Sequence, residues 1–212
     1  MLHVEKSIQQ LRIILGKMAD GVEEMVALIE KSINEEDISQ MDSIFEKDKY
    51  LDELEKEMDQ EAVALLALIN PMATDLRFVF SVVKLNVDLE RIGDECKNVA
   101  KELRNVSPPL PEEIKVMAQK VRNMVHNAFD ALLNQDSKLA RKIVLMDDEV
   151  DTLEYEIINK YAQTLGIAFA AKALERIADH TTNIAENVVY VIEGVDIRHE
   201  NSIMNRLEKK GE

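Results

Sequence analysis

The stretch LERIGDECKNVA, Leu89–Ala100, returns 85 residues later as LERIADHTTNIA, Leu174–Ala185, with seven of the twelve positions identical. The apolar positions of both copies recur at steps of three and four residues, which is typical of a helix that buries one face. Because the two copies lie in different halves of the chain, they predict a duplicated helical unit. Packing explains the repeated leucines and isoleucines, but it does not explain the repeated charged residues.

Composition and periodicity indicate a chain built from helices. Aromatic residues make up only 4% of the 212 residues, and there are six glycines and four prolines. Leu, Ala, Glu, Lys and Met dominate instead, and these are good helix formers. Apolar spacing predicts six helices, at about residues 8–34, 38–69, 74–106, 111–135, 139–165 and 167–193.

A proline-rich stretch divides the predicted helices into two groups of three. NVSPPLPEE, Asn105–Glu113, holds three of the four prolines of the chain, and such a cluster ends helices. We therefore expect an all-α fold of two tandem antiparallel three-helix bundles related by internal repeat. The first bundle would cover residues 1–106 and the second residues 107–212.

A second repeat relates the two halves with one difference in spacing. DKYLDELEKEM, which begins at Asp48, resembles DDEVDTLEYEI, which begins at Asp147, at an offset of 99 residues instead of 85. The second half therefore has 99 − 85 = 14 fewer residues between its two motifs. Either the second hairpin is shortened and turns near Gly166, or its tip is missing from the numbered sequence.

Bulk charge and cysteine content exclude some classes of partner and compartment. The chain has 26 basic and 41 acidic residues, a net charge of −15, which repels nucleic acids and anionic lipid headgroups. A single cysteine, Cys96, cannot form a disulfide within the chain and favours a reducing compartment. The longest apolar run, Ala62–Ile69, is far shorter than the roughly 20 residues that span a bilayer. We therefore expect a soluble cytoplasmic protein that binds no nucleic acid.

Each repeated motif carries two acidic residues four positions apart. On a helix such residues share a face, with Cβ atoms about 5–6 Å apart. The flanks of neighbouring helices meet in an antiparallel hairpin, so in each half the two pairs should face each other. The sequence therefore predicts two clusters of four carboxylates: Asp48, Asp52, Glu90 and Asp94 in the first half, and Asp147, Asp151, Glu175 and Asp179 in the second.

Two explanations account for such clusters. At 4 Å, each like-charge contact costs about 1 kcal/mol in water and about 4 kcal/mol at an effective dielectric near 20, and a multivalent cation would reverse the sign. Carboxylate ligands suit Mg, Ca, Mn or Fe, and also zinc. Alternatively, Arg91 and Arg176 neutralise the clusters by salt bridges, or the acids form a solvated surface. Other polar candidates at the rims are His180, Asn98 and Asn183.

Several motifs of the chain occur in the order that one known family shows. They are the early acidic pairs, INPMATDLRFVFSVVKLNVDLERIGD, the proline linker, and the two segments DLERIGDECKNVAKEL and ALERIADHTTNIAENVVYVIEG. In these motifs the chain resembles the PhoU family of bacterial phosphate-transport regulators. The resemblance extends along essentially the whole chain. It implies two three-helix bundles, each able to hold a multinuclear metal cluster, with iron, zinc, manganese or magnesium as candidate ions. It also implies a homodimer, peripheral to the membrane through protein partners, that couples a phosphate ABC transporter to a sensor histidine kinase and represses phosphate-starvation genes.

Three functional classes remain open from the residues alone. They are a non-enzymatic regulator, a carboxylate-bridged di-metal enzyme of the oxidase kind, and a metal-free helical scaffold that docks on basic surfaces. Ferritin-like di-iron sites need Glu-x-x-His, whereas Gly93 and Ala178 stand three positions after Glu90 and Glu175. The chain also lacks a P-loop, a glycine-rich nucleotide fingerprint and a nucleophile elbow. We therefore expect a non-enzymatic regulator.

Overall fold

The computed structural model describes residues 2–68 and 74–198, and within these ranges all regular structure is helical. Seven α-helices are present in the described ranges, and a short 3-10 helix, Ile38–Ser43, precedes the second of them. The α-helices are α1 Leu2–Glu35, α2 Ile44–Leu68, α3 Thr74–Leu103, α4 Glu112–Asn134, α5 Ser137–Val144, α6 Asp147–Lys160 and α7 Leu165–Glu193.

The tandem repeat predicted from the sequence is visible in the order of these helices. Helices α1, α2 and α3 form the first bundle, and α4, α5 with α6, and α7 form the second. The expectation of an all-α fold with two repeated bundles is confirmed. The division of the chain between residues 106 and 107 stays a prediction.

The predicted fifth helix is divided into α5 and α6, which the sequence periodicity did not indicate. The backbone turns at Leu145 and Met146, whose N–H groups donate to the carbonyls of Lys142 and Ile143 at 3.2 and 2.9 Å. Three acidic residues, Asp147–Glu149, then occupy the first turn of α6. Negative charge is stabilised at a helix N-terminus, so this run favours a new helix start at that point.

The apolar seams of α3 and α7 pack against each other at the centre of the molecule. Leu89 and Ile92 of α3 and Leu174 and Ile177 of α7 are almost completely buried. Helix α1 also packs against α4, and the buried apolar residues form one continuous core through both bundles. The two halves therefore share their interior, and α3 and α7 form its central pair.

The second hairpin, between α6 and α7, is short, which agrees with the explanation that the second half has a shortened turn. Residues Tyr161–Thr164 join α6 to α7, and the N–H of Thr164 donates to the carbonyl of Tyr161 at 2.8 Å. The turn comes before Gly166, which lies in the first turn of α7. A Cβ at Gly166 would lie 2.7 Å from Cγ2 of Val106 and 2.8 Å from the backbone oxygen of Glu102. Glycine thus lets the start of α7 approach the end of α3.

The tip of the first hairpin, including the predicted helix stop at Asn70-Pro71, lies outside the described residues. In the described ranges, none of the helices combines the length and the apolar character that a membrane crossing requires.

Candidate metal-binding clusters

The first cluster lies between α2 and α3. Asp48 and Asp52 are one turn apart on α2, and Glu90 and Asp94 are one turn apart on α3. The two helices come close at Gly93, where a Cβ would lie 2.9 Å from Cδ1 of Leu51 and 3.4 Å from Oδ1 of Asp48. Glycine next to Asp94 therefore lets the carboxylates of the two helices meet, as the hairpin geometry predicted.

A lysine that the sequence interpretation missed lies inside this first cluster. Nζ of Lys97 is 2.6 Å from Oδ2 of Asp48 and 2.6 Å from Oδ1 of Asp94. The Asp48 side chain is only 8% exposed, whereas that of Asp94 is 49% exposed. Lys97 therefore links α2 to α3 and places a positive charge against the most deeply buried acid of the cluster.

Burial and mutual repulsion act together on the first cluster. The pKa of Glu90 is raised to about 7, by burial first and then by the negative charge of Asp94, with Glu55 and Asp52 adding smaller contributions. Burial also raises the pKa of Asp48, and Lys97 opposes this shift. Each of the four predicted acids is therefore close enough to influence its neighbours, and Glu55 joins them as a fifth.

The second cluster lies between the start of α6 and the middle of α7. One carboxylate oxygen from each of Asp147, Asp151 and Asp179 lies within 4.8 Å of the other two. The pKa of Asp147 is raised to about 7, by burial first and then by the charges of Asp179 and Asp151. Burial followed by the charge of Glu175 raises the pKa of both Asp151 and Asp179. The four predicted acids of the second half therefore converge as well.

Two buried oxygens of the second cluster lack a hydrogen-bond partner among the described residues. They are Oδ1 of Asp147 and Oε2 of Glu175. The other oxygen of Glu175 is 3.0 Å from Nζ of Lys172, which also lies 3.4 Å from Oε1 of Glu154. Buried acceptors left unpaired destabilise a fold by about 1–3 kcal/mol each. A cation held by these carboxylates would satisfy them, so the donor set of the second cluster fits a hard metal ion.

Arginine does not neutralise either cluster in the described residues. Arg91 is exposed, and Nη1 of Arg176 lies 3.3 Å from Oε1 of Glu95, on α3 and outside the predicted acids. The positive charges next to the clusters come from Lys97 and Lys172 instead. In the described residues, Arg91 and Arg176 therefore do not neutralise the carboxylate clusters by salt bridges.

The polar residues at the rims of the clusters make contacts between helices. Nδ1 of His180 lies 3.0 Å from Oδ1 of Asp88 on α3. Nδ2 of Asn183 donates to the same Asp88 oxygen at 3.2 Å. Nδ2 of Asn98 donates to Oε2 of Glu95 at 3.0 Å. These amides and the imidazole therefore join helices or neighbouring turns in the described structure.

Two glutamates next to the clusters could have been found from the sequence. Glu55 and Glu154 stand three positions after Asp52 and Asp151, and they match at the same offset of 99 residues. Lys97 and Lys172 gave no such signal, since the first half has Val87 where Lys172 stands and the second half has Thr182 where Lys97 stands.

Comparison with known proteins shows which family the chain is similar to. The PhoU domain model matches residues 15–103 and 114–188, one match in each half of the chain. A Pseudomonas putida protein named phosphate-specific transport system accessory protein PhoU homolog is 32% identical, over 90% of this chain and 84% of its own. A Clostridium acetobutylicum protein of the same name is 30% identical, over 91% of this chain and 95% of its own.

Two solved structures share the architecture. The crystal structure of PhoU from Pseudomonas aeruginosa superposes with a TM-score of 0.83 at 31% identity, covering 90% of this chain and 99% of that one. The phosphate transport system regulatory protein PhoU from Streptococcus pneumoniae superposes with a TM-score of 0.81 at 24% identity, covering 91% and 98%. The second likeness concerns the fold alone.

Proposed function

This chain belongs to the PhoU family, and we propose that it is a non-enzymatic regulator of phosphate uptake. In this proposal it acts as an accessory protein of a phosphate-specific transport system, as its relatives are named. It couples the phosphate ABC transporter to a sensor histidine kinase and represses phosphate-starvation genes when phosphate is plentiful. The observation that carries the proposal is the match to both halves of the chain by one family domain.

The proposal places the protein in the cytoplasm, at the membrane only through its protein partners, and as a homodimer. The net charge of −15 supports contacts with basic protein surfaces over contacts with nucleic acid or anionic lipid. Apolar side chains exposed along α3 support a protein partner too, since they recur on one face at helical spacing: Leu76, Phe80, Val83 and Val87.

We also propose that the eight predicted carboxylates hold metal ions, which shape or charge the surface that contacts the protein partners. The candidate ions are iron, zinc, manganese and magnesium. The three converging carboxylates of the second cluster support this part, and so do its unpaired buried oxygens. A bound ion would supply positive charge between two helices and cross-link α6 to α7. The chain itself contributes oxygen ligands only, which suits charge neutralisation.

The test of the regulatory role is complementation. A bacterial strain that lacks its own phosphate accessory protein would carry a reporter under a phosphate-starvation promoter, and this chain would be expressed from a plasmid. Repression of the reporter in high phosphate, and co-purification of the tagged chain with transporter and kinase, are the expected results. A well-expressed chain that neither represses the reporter nor retains either partner would overturn the proposal.

The alternative of an oxidase-like di-metal enzyme makes a different prediction. Ferritin-like chemistry uses histidine beside the bridging glutamates, and Gly93 and Ala178 stand at those positions here. Protein would be loaded with Fe²⁺ under nitrogen and then exposed to oxygen. It should therefore oxidise an added reductant no faster than the same concentration of free iron does. The metal-free scaffold would show full partner binding after dialysis against a chelator.

A further inference from the structure

The two carboxylate clusters carry similar charges but hold them in different arrangements. Each contains four predicted acids, a fifth acid in Glu55 or Glu154, and one lysine. In the first cluster the lysine, Lys97, bridges Asp48 and Asp94. In the second cluster Lys172 bridges Glu154 and Glu175. The formal charge of the two groups is the same, and the position of the lysine distinguishes them.

The internal repeat shows which positions correspond. The three converging acids of the second cluster, Asp147, Asp151 and Asp179, correspond to Asp48, Asp52 and Asp94 by the offsets of 99 and 85 residues. The ammonium of Lys97 therefore contacts two members of the equivalent trio in the first half. In the second half, position 182, which corresponds to Lys97, is a threonine.

The trio of the second half is not paired with a positive side chain. Among residues 2–68 and 74–198, no lysine or arginine nitrogen lies within 4.0 Å of the carboxylate oxygens of Asp147, Asp151 or Asp179. Lys172 is engaged at Glu175 and Glu154, outside the trio. One oxygen of Asp147 is buried and unpaired in the described structure.

From this difference we infer that the two clusters are not equivalent metal sites: Lys97 serves as the resident cation of the first cluster, and the second cluster is the high-affinity site. This inference rests on the proposed metal binding and specifies how it is distributed. A divalent ion enters the first cluster only when the Lys97 ammonium leaves Asp48 and Asp94. The second trio, which has Thr182 in place of the lysine, receives an ion without displacing a charge.

The Lys97 position also indicates why the first cluster keeps a built-in cation. The Asp48 side chain is 8% exposed, and an unpaired buried carboxylate is costly. Lys97 pairs this carboxylate when no metal is bound, so α2 stays attached to α3 in the metal-free protein. In the second cluster the lysine link between α6 and α7 runs through Lys172 and Glu154 and leaves the trio unpaired, so an ion bound by the trio adds a further link between the two helices.

The test exchanges the two equivalent residues and measures binding of Mn²⁺ alone. Wild type, Lys97→Thr and Thr182→Lys would be stripped with chelator, equilibrated with a series of Mn²⁺ concentrations, and analysed for bound metal. Lys101→Thr is the matched control, because it removes one positive charge from an exposed site one turn further along α3. A variant with Asp147→Asn and Asp179→Asn reports on the first cluster alone.

In wild type, the first cluster should bind Mn²⁺ at least tenfold more weakly than the second. Lys97→Thr should strengthen binding at the first cluster at least tenfold, so that bound metal near the wild-type midpoint concentration roughly doubles. Thr182→Lys should remove the tight class of sites, and Lys101→Thr should change neither class. Circular dichroism would confirm folding, and if Lys97→Thr does not fold without metal, Thr182→Lys decides alone.

Equal affinity of the two clusters in wild type, or tight binding that survives Thr182→Lys, would overturn the inference while leaving the metal sites in place. Absence of Mn²⁺ binding in wild type and in both exchange variants would overturn the metal part of the proposed function as well. The regulatory role is tested separately by complementation, so the three failures are distinguishable.

Discussion

Oδ1 of Asp88 lies 3.0 Å from Nδ1 of His180, and this contact joins α3 to α7 across the centre of the molecule. The same oxygen accepts a hydrogen bond from Nδ2 of Asn183 at 3.2 Å. Asp88 is 8% exposed. Neither Asp88 nor His180 has an equivalent in the other half, because Ala173 and Glu95 stand at the matching positions. The contact is therefore a feature of the interface between the halves and not of the repeat.

Replacement of Asp88 by alanine should destabilise the protein by about 1–3 kcal/mol. The substitution removes the acceptor that His180 and Asn183 share. It leaves Nδ1 of His180, whose side chain is 15% exposed, without its partner, whereas the exposed Asn183 can bond to water. Urea denaturation measures the difference in the free energy of unfolding. Asp20→Ala, at an exposed position of α1, is the control and should stay within about 0.5 kcal/mol of wild type. Equal stability of the two variants would contradict the structural role of Asp88.

Two glycine substitutions should have opposite effects on stability. Gly166→Ala would bring a methyl group within 2.8 Å of the backbone oxygen of Glu102, and such overpacking costs about 1–3 kcal/mol. Gly16→Ala meets nothing within 4 Å and should stabilise α1 by up to about 1 kcal/mol. Thermal melting of both variants checks this. A stabilising Gly166→Ala would show that the start of α7 is not held against α3.

Metal addition should stabilise the folded protein through the second cluster. An ion that binds only the native state at 100 times its dissociation constant adds about 2.7 kcal/mol. Differential scanning calorimetry with Mn²⁺ and then with chelator should show a reversible rise in Tm. Asp179→Asn should remove most of the rise, because Asp179 belongs to the converging trio. Glu156→Gln, at an exposed position of α6, should keep it.

The metal-free protein should lose stability as the pH rises from about 4 to about 7. The pKa of Asp147 is raised to about 7 in the folded chain, by burial first, from an ordinary value near 4. In this window the native carboxyl holds a proton that the unfolded chain lacks, so its contribution is complete below about pH 4 and is lost as the pH approaches 7. The side chain in Asp147→Asn cannot ionise, so this variant should lose less stability over this pH range. The free energy of unfolding, measured by urea denaturation at a series of pH values, checks this.

Asp20→Asn is the control for that experiment and should retain the wild-type slope. Bound metal reverses the sign, because metal ligands must be deprotonated. Stabilisation by Mn²⁺ should therefore increase over the same pH range. If Asp147→Asn leaves the pH dependence of stability of the metal-free protein unchanged, the pKa of the Asp147 carboxyl is not raised by burial and by its neighbours.

The repeated sequence was sufficient to predict the parts of the molecule that depend on local spacing. Acids four positions apart share a helix face regardless of tertiary structure, so the convergence of Asp147, Asp151 and Asp179 follows from the hairpin. The offset of 99 instead of 85 residues likewise located the difference at the second hairpin, with a shortened turn as one of two explanations. The break between α5 and α6 was missed because the apolar spacing continues through it.

The positions of the lysines could not be predicted, because they depend on rotamers and on neighbouring helices. Lys97 and Lys101 both follow Asp94 on α3, one and two turns away, and nothing in their spacing shows that only Lys97 reaches α2. The pairing of α3 with α7 is also a long-range contact. For this reason the sequence predicts His180 only as a polar candidate at the rim of a cluster, whereas its partner, Asp88, lies 92 residues earlier in the chain.

The pairing of α3 with α7 resembles the interface of a homodimer, yet both helices belong to a single polypeptide. In a dimer of identical subunits every substitution appears twice, on both sides of the symmetry axis. A tandem duplication removes that constraint, and one copy can acquire a lysine, an aspartate or a histidine that the other does not share. Divergence at positions 97, 88 and 180 could therefore arise without breaking any symmetry that the assembly needs.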